Sequence, residues 1–146
     1  MQKKEDLPDP SDALPHHHVK VRLKPSTLAG IGVFAVEPIE KGEAVFPGDD
    51  GEVRWISRAS LIRADLSETE KKLYRDFAIF KADRCGCPVS FGRITIAWYL
   101  NRPNDTQEPN VECDIADGYK FYAARAIRVG EELTARYGDF SLDAWL

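Results

Sequence analysis

Residues 122–131 read YAARAIRVGE, and residues 34–43 read FAVEPIEKGE. Both stretches have an aromatic residue followed by alanine, an isoleucine after three variable positions, and a Gly-Glu pair after two more. This order predicts a strand, a turn anchored by the isoleucine, and a reversal into another strand that the glycine permits. Two copies are too few for a repeat array, so we expect two similar corners of one β structure.

The residues around the two copies predict further short elements. Apolar and charged residues alternate at 19–24, which indicates a half-buried strand. The capping-box pattern Ser67-x-x-Glu70 predicts a helix that begins after Ser67. Asp117-Gly118 is typical of a hairpin turn. The fold class predicted by these signals is mostly β with a small helical insert between the two copies.

Composition and charge exclude several classes of protein. The chain has 146 residues, 43% of them hydrophobic, and a formal charge of -4, which argues against nucleic acid as the main partner. No apolar run approaches the roughly 20 residues of a membrane span, and no apolar signal region follows the charged start. We therefore expect an intracellular, cytoplasmic protein (nuclear in a eukaryote) with no membrane partner. Residues 1–18, rich in proline and charge, predict a flexible tail.

The positions of histidine and cysteine limit the chemistry. All three histidines, His16, His17 and His18, lie in the predicted tail, so the body has none. Unless the tail folds back, this excludes Ser-His-Asp and Cys-His catalysis and argues against a zinc hydrolase. The three cysteines at 85, 87 and 113 fit reduced thiols and are one short of a closed structural zinc site. We expect no metal.

At 30–43, 101–110 and 126–138 the sequence has three ordered blocks, and together they resemble the SET domain family of protein-lysine methyltransferases. The first block is 30–35 (GIGVFA) together with 41–43 (KGE). The second is 101–103 (NRP) with 109–110 (PN), which is similar to that family's Asn-His-Ser…Pro-Asn segment. The third, 126–138 (AIRVGEELTARYG), is similar to the family's closing Gly-Glu-Glu-Leu-Thr-x-x-Tyr-Gly.

The resemblance implies a fold, a reaction and a cofactor. The fold is the β-clip of short curled sheets with a knot-like crossing near the active site, here over 19–138, with a variable insert at about 48–91 that would shape the peptide groove. The reaction is methyl transfer from S-adenosyl-L-methionine to a lysine amine of a protein. A histone, a DNA-binding protein and a ribosomal protein all remain open as substrate, and so does a homodimer.

The resemblance also implies roles for particular residues. Tyr137 would be the catalytic hydroxyl that orients the amine. Cofactor contacts are expected at Gly30, Ile31, Gly32, Asn101, Arg102 and Tyr137. The tyrosines expected in the substrate channel, with ordinary core packing as the alternative for each, are Tyr99, Tyr119 and Tyr122.

The apolar segment 139–146 predicts a short helix packed on the domain, in the place of the zinc-binding module that other members have there. Phe140 would close the lysine channel and Trp145 would lie against the cofactor's adenine. Simple core burial, or contact with a second subunit, is the alternative for both rings.

The sequence departs from the family pattern at three places, and the first of them gives a second hypothesis. Arg102-Pro103 replaces His-Ser, 105–107 is an insertion, and Arg136 replaces the aspartate before the closing tyrosine. Pro103 has no N–H, so any donor role at that position is lost. The alternative function is a catalytically weak or inactive SET-like protein-binding module.

Overall fold

The computed structural model describes residues 14–49, 52–114, 120–136 and 142–145. Its strands are β1 (Val21–Pro25), β2 (Ile31–Ala35), β3 (Arg54–Ser57), β4 (Ile79–Phe80), β5 (Arg84–Cys87), β6 (Val111–Asp114), β7 (Lys120–Ala123) and β8 (Glu132–Leu133). Its α-helices are α1 (Arg58–Arg63), α2 (Glu68–Phe77) and α3 (Leu142–Trp145), and Ile96–Tyr99 is a 3-10 helix. Residues 1–13 of the predicted tail lie outside the described residues, and 14–18 are exposed.

The described strands form three small antiparallel sheets in the orders β1-β2-β8, β3-β5-β4 and β6-β7. The mostly β fold class predicted from the sequence is confirmed. The hairpin of β6 and β7 pairs Val111 with Ala123 and Asp114 with Lys120. The predicted turn between them, at 117–118, lies outside the described residues.

The two sequence copies pair with each other. The backbone N–H of Ile39 donates to the carbonyl of Ile127 at 3.0 Å, and the reverse bond is 2.8 Å. Gly42 N–H donates to the carbonyl of Ala123 at 2.8 Å. At the equivalent place in the other copy, the N–H of Gly130 donates to a carbonyl of β2, also at 2.8 Å. The copies therefore build two similar corners that face each other across one β structure.

The insert between the copies contains more than helices. The predicted capping box is confirmed, since Glu70 N–H donates to Ser67 Oγ at 3.1 Å and Ser67 N–H donates to Glu70 Oε1 at 3.0 Å. No sequence pattern, however, predicted the sheet β3-β5-β4 in the insert. Those strands have two to four residues and no clear alternation of apolar and polar side chains, and Gly86 in β5 lies against the ring of Trp55.

The segment after β8 lies between two other parts of the chain. Ala135 N–H donates to the carbonyl of Asn101 at 3.1 Å, and Val111 N–H donates to the carbonyl of Thr134 at 3.0 Å. Asn110, whose side chain is buried, accepts from Thr134 N–H at 2.8 Å and donates to the carbonyl of Glu132 at 2.9 Å. Residues 132–135 are thus held on both sides by the ends of the 101–111 loop, as in the knot-like crossing that the resemblance implies.

The described core has two parts. The larger contains Ile39, Ile127 and Leu133 at its centre, and the smaller joins the insert to α3 through Leu61, Phe80, Cys85, Leu142 and Trp145. The end of the chain thus has a short helix whose two described large side chains are buried. Within the described ranges, no helix has the length and apolar character that crossing a membrane requires.

Candidate active site

Two glycines shape the loop before β2, for different reasons. Gly30 has φ of +46, and a Cβ added there would contact nothing within 4 Å, so the residue is required for its backbone conformation. At Gly32 the constraint is space, because a Cβ would lie 2.8 Å from Glu132 Cδ and 3.0 Å from Asn101 Nδ2. The first glycine lets the loop turn, and the second lets β8 and Asn101 approach it.

The side chain of Asn101 ties this loop to β8. Its Nδ2 donates to the carbonyl of Ala29 at 3.0 Å and to Glu132 Oε2 at 2.8 Å. The other carboxylate oxygen, Glu132 Oε1, accepts from Ser26 Oγ at 2.6 Å. These bonds connect the start of the domain, the crossing and β8. Asn101 and Glu132 therefore hold the loop before β2 in its shape.

A cleft of about 220 Å³ opens beside this loop. We call it the loop cleft; its lining residues are Ala29, Gly30, Ile31, Asp76, Phe77, Trp98, Tyr99, Leu100 and Asn101. It therefore combines exposed backbone of a glycine-containing turn, aromatic rings and one carboxylate.

A second cleft, of about 260 Å³, lies beside β7. We call it the hairpin cleft; its lining includes Phe46, Asp49, Glu52, Val53, Ile79, Trp98, Lys120, Phe121 and Tyr122. The Asp49 carboxylate accepts from Thr95 Oγ1 at 2.9 Å, which fixes the rim next to the 3-10 helix. Trp98 lines both clefts, so the two adjoin along that helix.

The loop cleft brings together three of the residues expected to contact the cofactor, namely Gly30, Ile31 and Asn101. Gly32 is buried behind the loop, against Glu132. Arg102 is exposed and does not line the cleft.

Trp145 lies elsewhere, in the smaller core cluster. Its ring centroid is 5.1 Å from that of Phe80, and the Arg58 guanidinium is 5.5 Å from the ring. The ring is 4% exposed, so its position matches the core-burial alternative.

The residues expected in the substrate channel are divided. Tyr122 lines the hairpin cleft, whereas Tyr99 lines the loop cleft and packs on Phe77. Tyr119, Tyr137 and Phe140 lie outside the described residues.

Several lining residues were missed by sequence reasoning. Phe77 reads as part of the apolar face of α2, and Asp76 reads as a solvated charge beside it. The sequence suggests a short helix with Ile94, Ala97 and Trp98, and the structure has a 3-10 helix at Ile96–Tyr99, but no sequence pattern places Trp98 at a cleft. Glu132, which bonds to Asn101 and lines neither cleft, carried a usable signal because it belongs to the Gly-Glu-Glu-Leu block.

Metal binding has no geometric support in the described part of the chain. No three or more His, Cys, Asp or Glu side chains there are grouped as ligands. The three cysteines form no disulfide, and Cys85 and Cys87 are buried.

A family model for the SET domain matches residues 30–138, which is most of the chain. The chain therefore belongs to the SET domain family. A comparison with curated protein sequences gave no match.

Solved structures similar to this chain come from Polycomb Repressive Complex 2 of Chaetomium thermophilum. One structure of the complex aligns at 26% identity and a TM-score of 0.56, covering 86% of this chain and 16% of that chain. An autoinhibited conformation bound to S-adenosylmethionine aligns at 26% identity and 0.56, covering 85% and 16%. A humanized mutant bound to the inhibitor GSK126 aligns at 25% identity and 0.56, covering 85% and 15%. The chain thus spans less than a fifth of each of these three chains.

Proposed function

We propose that this SET domain is an enzyme that moves a methyl group from S-adenosylmethionine to a lysine side chain of a protein. The observation that carries the proposal is the meeting of two clefts at Trp98. Displacement at a methyl carbon needs the donor and the acceptor in line, each held in its own place. Two adjoining clefts with a common wall residue supply those two places.

The lining of the loop cleft fits the donor. S-adenosylmethionine, when bound, supplies an electrophilic methyl group on a sulfonium, and it carries an aromatic base, a ribose and a charged amino-acid end. Phe77, Trp98 and Tyr99 offer ring surface for the base. Backbone groups at 29–31, held in place by Asn101, are polar partners for the charged end.

The hairpin cleft suits a lysine side chain. A free lysine amine has a pKa of about 10.4, so the site must favour its neutral form before the amine can attack. The rings of Phe46, Trp98 and Tyr122 exclude water, and desolvation lowers the pKa of an ammonium group. Lys120 at the same cleft also favours the neutral form through like-charge repulsion, whereas Asp49 and Glu52 attract the lysine as it arrives in its charged form. No histidine base is needed, in keeping with a body that has none.

A binding module without catalysis is the second candidate, and Arg102-Pro103 is the observation that favours it. Arg102 does not line the loop cleft, and the buried Pro103 cannot donate a backbone hydrogen bond. On this hypothesis the hairpin cleft binds a lysine side chain and the loop cleft binds the donor weakly or not at all.

Two measurements on the full chain separate the candidates. Isothermal titration with S-adenosylmethionine tests the loop cleft, and transfer of labelled methyl groups to a histone, ribosomal-protein or DNA-binding-protein fraction tests the reaction. Binding with transfer supports the enzyme. Binding without transfer to any fraction supports the module, and absence of binding at millimolar donor removes the enzyme.

A further inference from the structure

We infer that the end of helix α2 holds the adenosine part of the methyl donor, with the ring of Phe77 against the base and the carboxylate of Asp76 on the ribose hydroxyls. This inference rests on the proposed function, because it assigns the donor to the loop cleft. It gives the insert, whose implied role is to shape the peptide groove, a second role in donor recognition.

The ring of Phe77 is fixed by other aromatic side chains. Its centroid lies 5.3 Å from that of Tyr99 with the planes at 82°, and 6.4 Å from that of Phe91. Phe91 in turn lies 5.0 Å from Tyr74 at 76°. Of these four rings, Phe77 and Tyr99 line the loop cleft and the other two do not. Phe77 is half-buried and its neighbours already hold its ring in place. Binding of a base against this ring therefore costs little side-chain entropy.

Asp76 is the one charged residue among those that line the loop cleft in the described part of the chain. Its Oδ2 is 3.0 Å from Lys72 Nζ, one turn earlier on α2, and its side chain is 46% exposed. An ion pair this exposed contributes little to stability, so its carboxylate remains open to further hydrogen bonds. A carboxylate only accepts hydrogen bonds, which matches the vicinal hydroxyls of a ribose.

Charge decides which end of the donor lies at α2. The amino-acid end is a zwitterion whose two charges need both donors and acceptors, which the backbone of the turn at 29–31 offers, whereas Asp76 can only accept and would repel the carboxylate. The base is neutral and aromatic, which suits Phe77 and Tyr99. The adenosine is therefore assigned to the α2 wall and the amino-acid end to the glycine turn.

The test uses two product-like ligands that need no turnover, S-adenosylhomocysteine and 5′-methylthioadenosine. Calorimetric affinities are compared for the unmodified chain, Phe77→Leu and the matched control Phe80→Leu, which changes a ring of the smaller core cluster outside the cleft. Loss of base stacking should weaken both ligands about ten-fold in Phe77→Leu. The Phe80→Leu variant should stay within about two-fold of the unmodified chain.

Asp76→Asn provides a second arm that does not depend on an aromatic core substitution. It should weaken 5′-methylthioadenosine and leave the 2′,3′-dideoxy analogue of that ligand unchanged. The control Glu68→Gln removes an exposed carboxylate of the same helix that pairs with Lys71 and does not line the cleft. It should change neither affinity.

The outcomes distinguish this inference from the proposed function. If the unmodified chain binds neither ligand at millimolar concentration, the donor assignment of the loop cleft fails and the inference fails with it. If the unmodified chain binds both ligands and Phe77→Leu and Asp76→Asn bind them equally well, the proposed function stands and the α2 inference is overturned.

Discussion

Ile39 and Ile127 occupy the same position in the two sequence copies and exchange both backbone hydrogen bonds across the domain, at 3.0 and 2.8 Å. They are 2% and 1% exposed and belong to the larger core cluster. Each copy thereby supplies the pairing partner of the other, which relates the two corners by an approximate two-fold axis. The two copies are therefore similar in sequence because their equivalent residues have equivalent surroundings in the folded domain.

Shortening either isoleucine should destabilise the domain at its centre. Ile39→Val and Ile127→Val are each expected to lower the free energy of unfolding by about 1 kcal/mol, since each removes one buried methylene. The double variant should lose less than the sum, because the two residues are paired. Urea unfolding measures all three. The control is Ile31→Val, half exposed, which should change stability by less than ~0.5 kcal/mol; additive losses would contradict the coupling.

Gly32→Ala should destabilise through a steric conflict. The new methyl group displaces the Glu132 carboxylate, which Asn101 and Ser26 hold, and overpacking of this kind costs about 1–3 kcal/mol. Gly30→Ala should also destabilise, by about 1–2 kcal/mol, but through backbone strain at positive φ.

The two glycine variants differ in what rescues them. Adding Glu132→Ala to Gly32→Ala removes the displaced carboxylate and should recover part of the loss, whereas the same addition to Gly30→Ala should only add to it. Thermal unfolding of the two single and two double variants measures whether stability is recovered. Equal behaviour of the two pairs would show that the conflict with Glu132 is not the cause.

Stability should depend on pH through two equivalent glutamates. A hydrogen bond from Lys20, together with the N–H of Glu40, holds the pKa of Glu43 below its ordinary 4.5. Burial raises the pKa of Glu131, but hydrogen bonds from Arg125 and the N–H of Arg128 outweigh it, so this pKa is lowered as well.

Because both pKa values are lower in the folded chain, their contribution is complete above the ordinary value and is lost as pH falls through the folded values. Glu43→Gln and Glu131→Gln should therefore be less stable than the parent near neutral pH, with the difference shrinking below pH ~4.5. Urea midpoints across that range measure it. A difference independent of pH would contradict the assignment.

Tyr137→Phe tests the catalytic residue that the family resemblance implies; Tyr137 itself lies outside the described residues. Turnover should fall about ten- to a hundred-fold, the effect of one lost hydrogen bond at a developing charge. Affinity for S-adenosylmethionine should stay within a few fold. The matched control is Tyr74→Phe, a ring that lines neither cleft. Unchanged turnover in Tyr137→Phe would remove that hydroxyl from the mechanism.

Arg136→Ala should loosen the inserted part of the 101–111 loop. The Arg136 guanidinium donates to the carbonyls of Gln107 at 2.9 Å and Asn104 at 3.2 Å, so two departures from the family pattern contact each other. Faster amide hydrogen exchange at 104–107 is expected, with a loss of about 1 kcal/mol in stability. Arg136→Lys, which keeps the charge without the fork, should lie in between. Exchange rates equal to those of the parent would show that these hydrogen bonds do not stabilise the loop.

The parts of the fold that sequence predicted are those with a local cause. The helix after Ser67 follows from a cap that joins residues three apart. Each of the two corners follows from the same ten-residue pattern. The sheet β3-β5-β4 depends on pairing between Trp55 and Gly86, which are far apart in sequence and carry no period-2 signal. Such pairings are decided by tertiary packing.

The candidate site divides in the same way. Gly30 and Asn101 were expected near the cofactor because a family motif contains them, and both line the loop cleft. The bonds of Asn101 to Glu132 and the entry of Phe77 into that cleft have no local signature. They depend on the positions of α2 and β8 in the folded domain, and tertiary contacts decide those positions.

The crossing at 132–135 has a consequence for how the chain is made. Strand β2 pairs with β8, and Leu133 and Ala135 are fully buried, so the core stays incomplete until the last part of the domain has left the ribosome. Until then one edge of β2 is open to pairing with another nascent chain, the hazard of any unpaired strand. A nascent chain that ends before residue 132 would thus lack β8, and the core of the domain would stay incomplete.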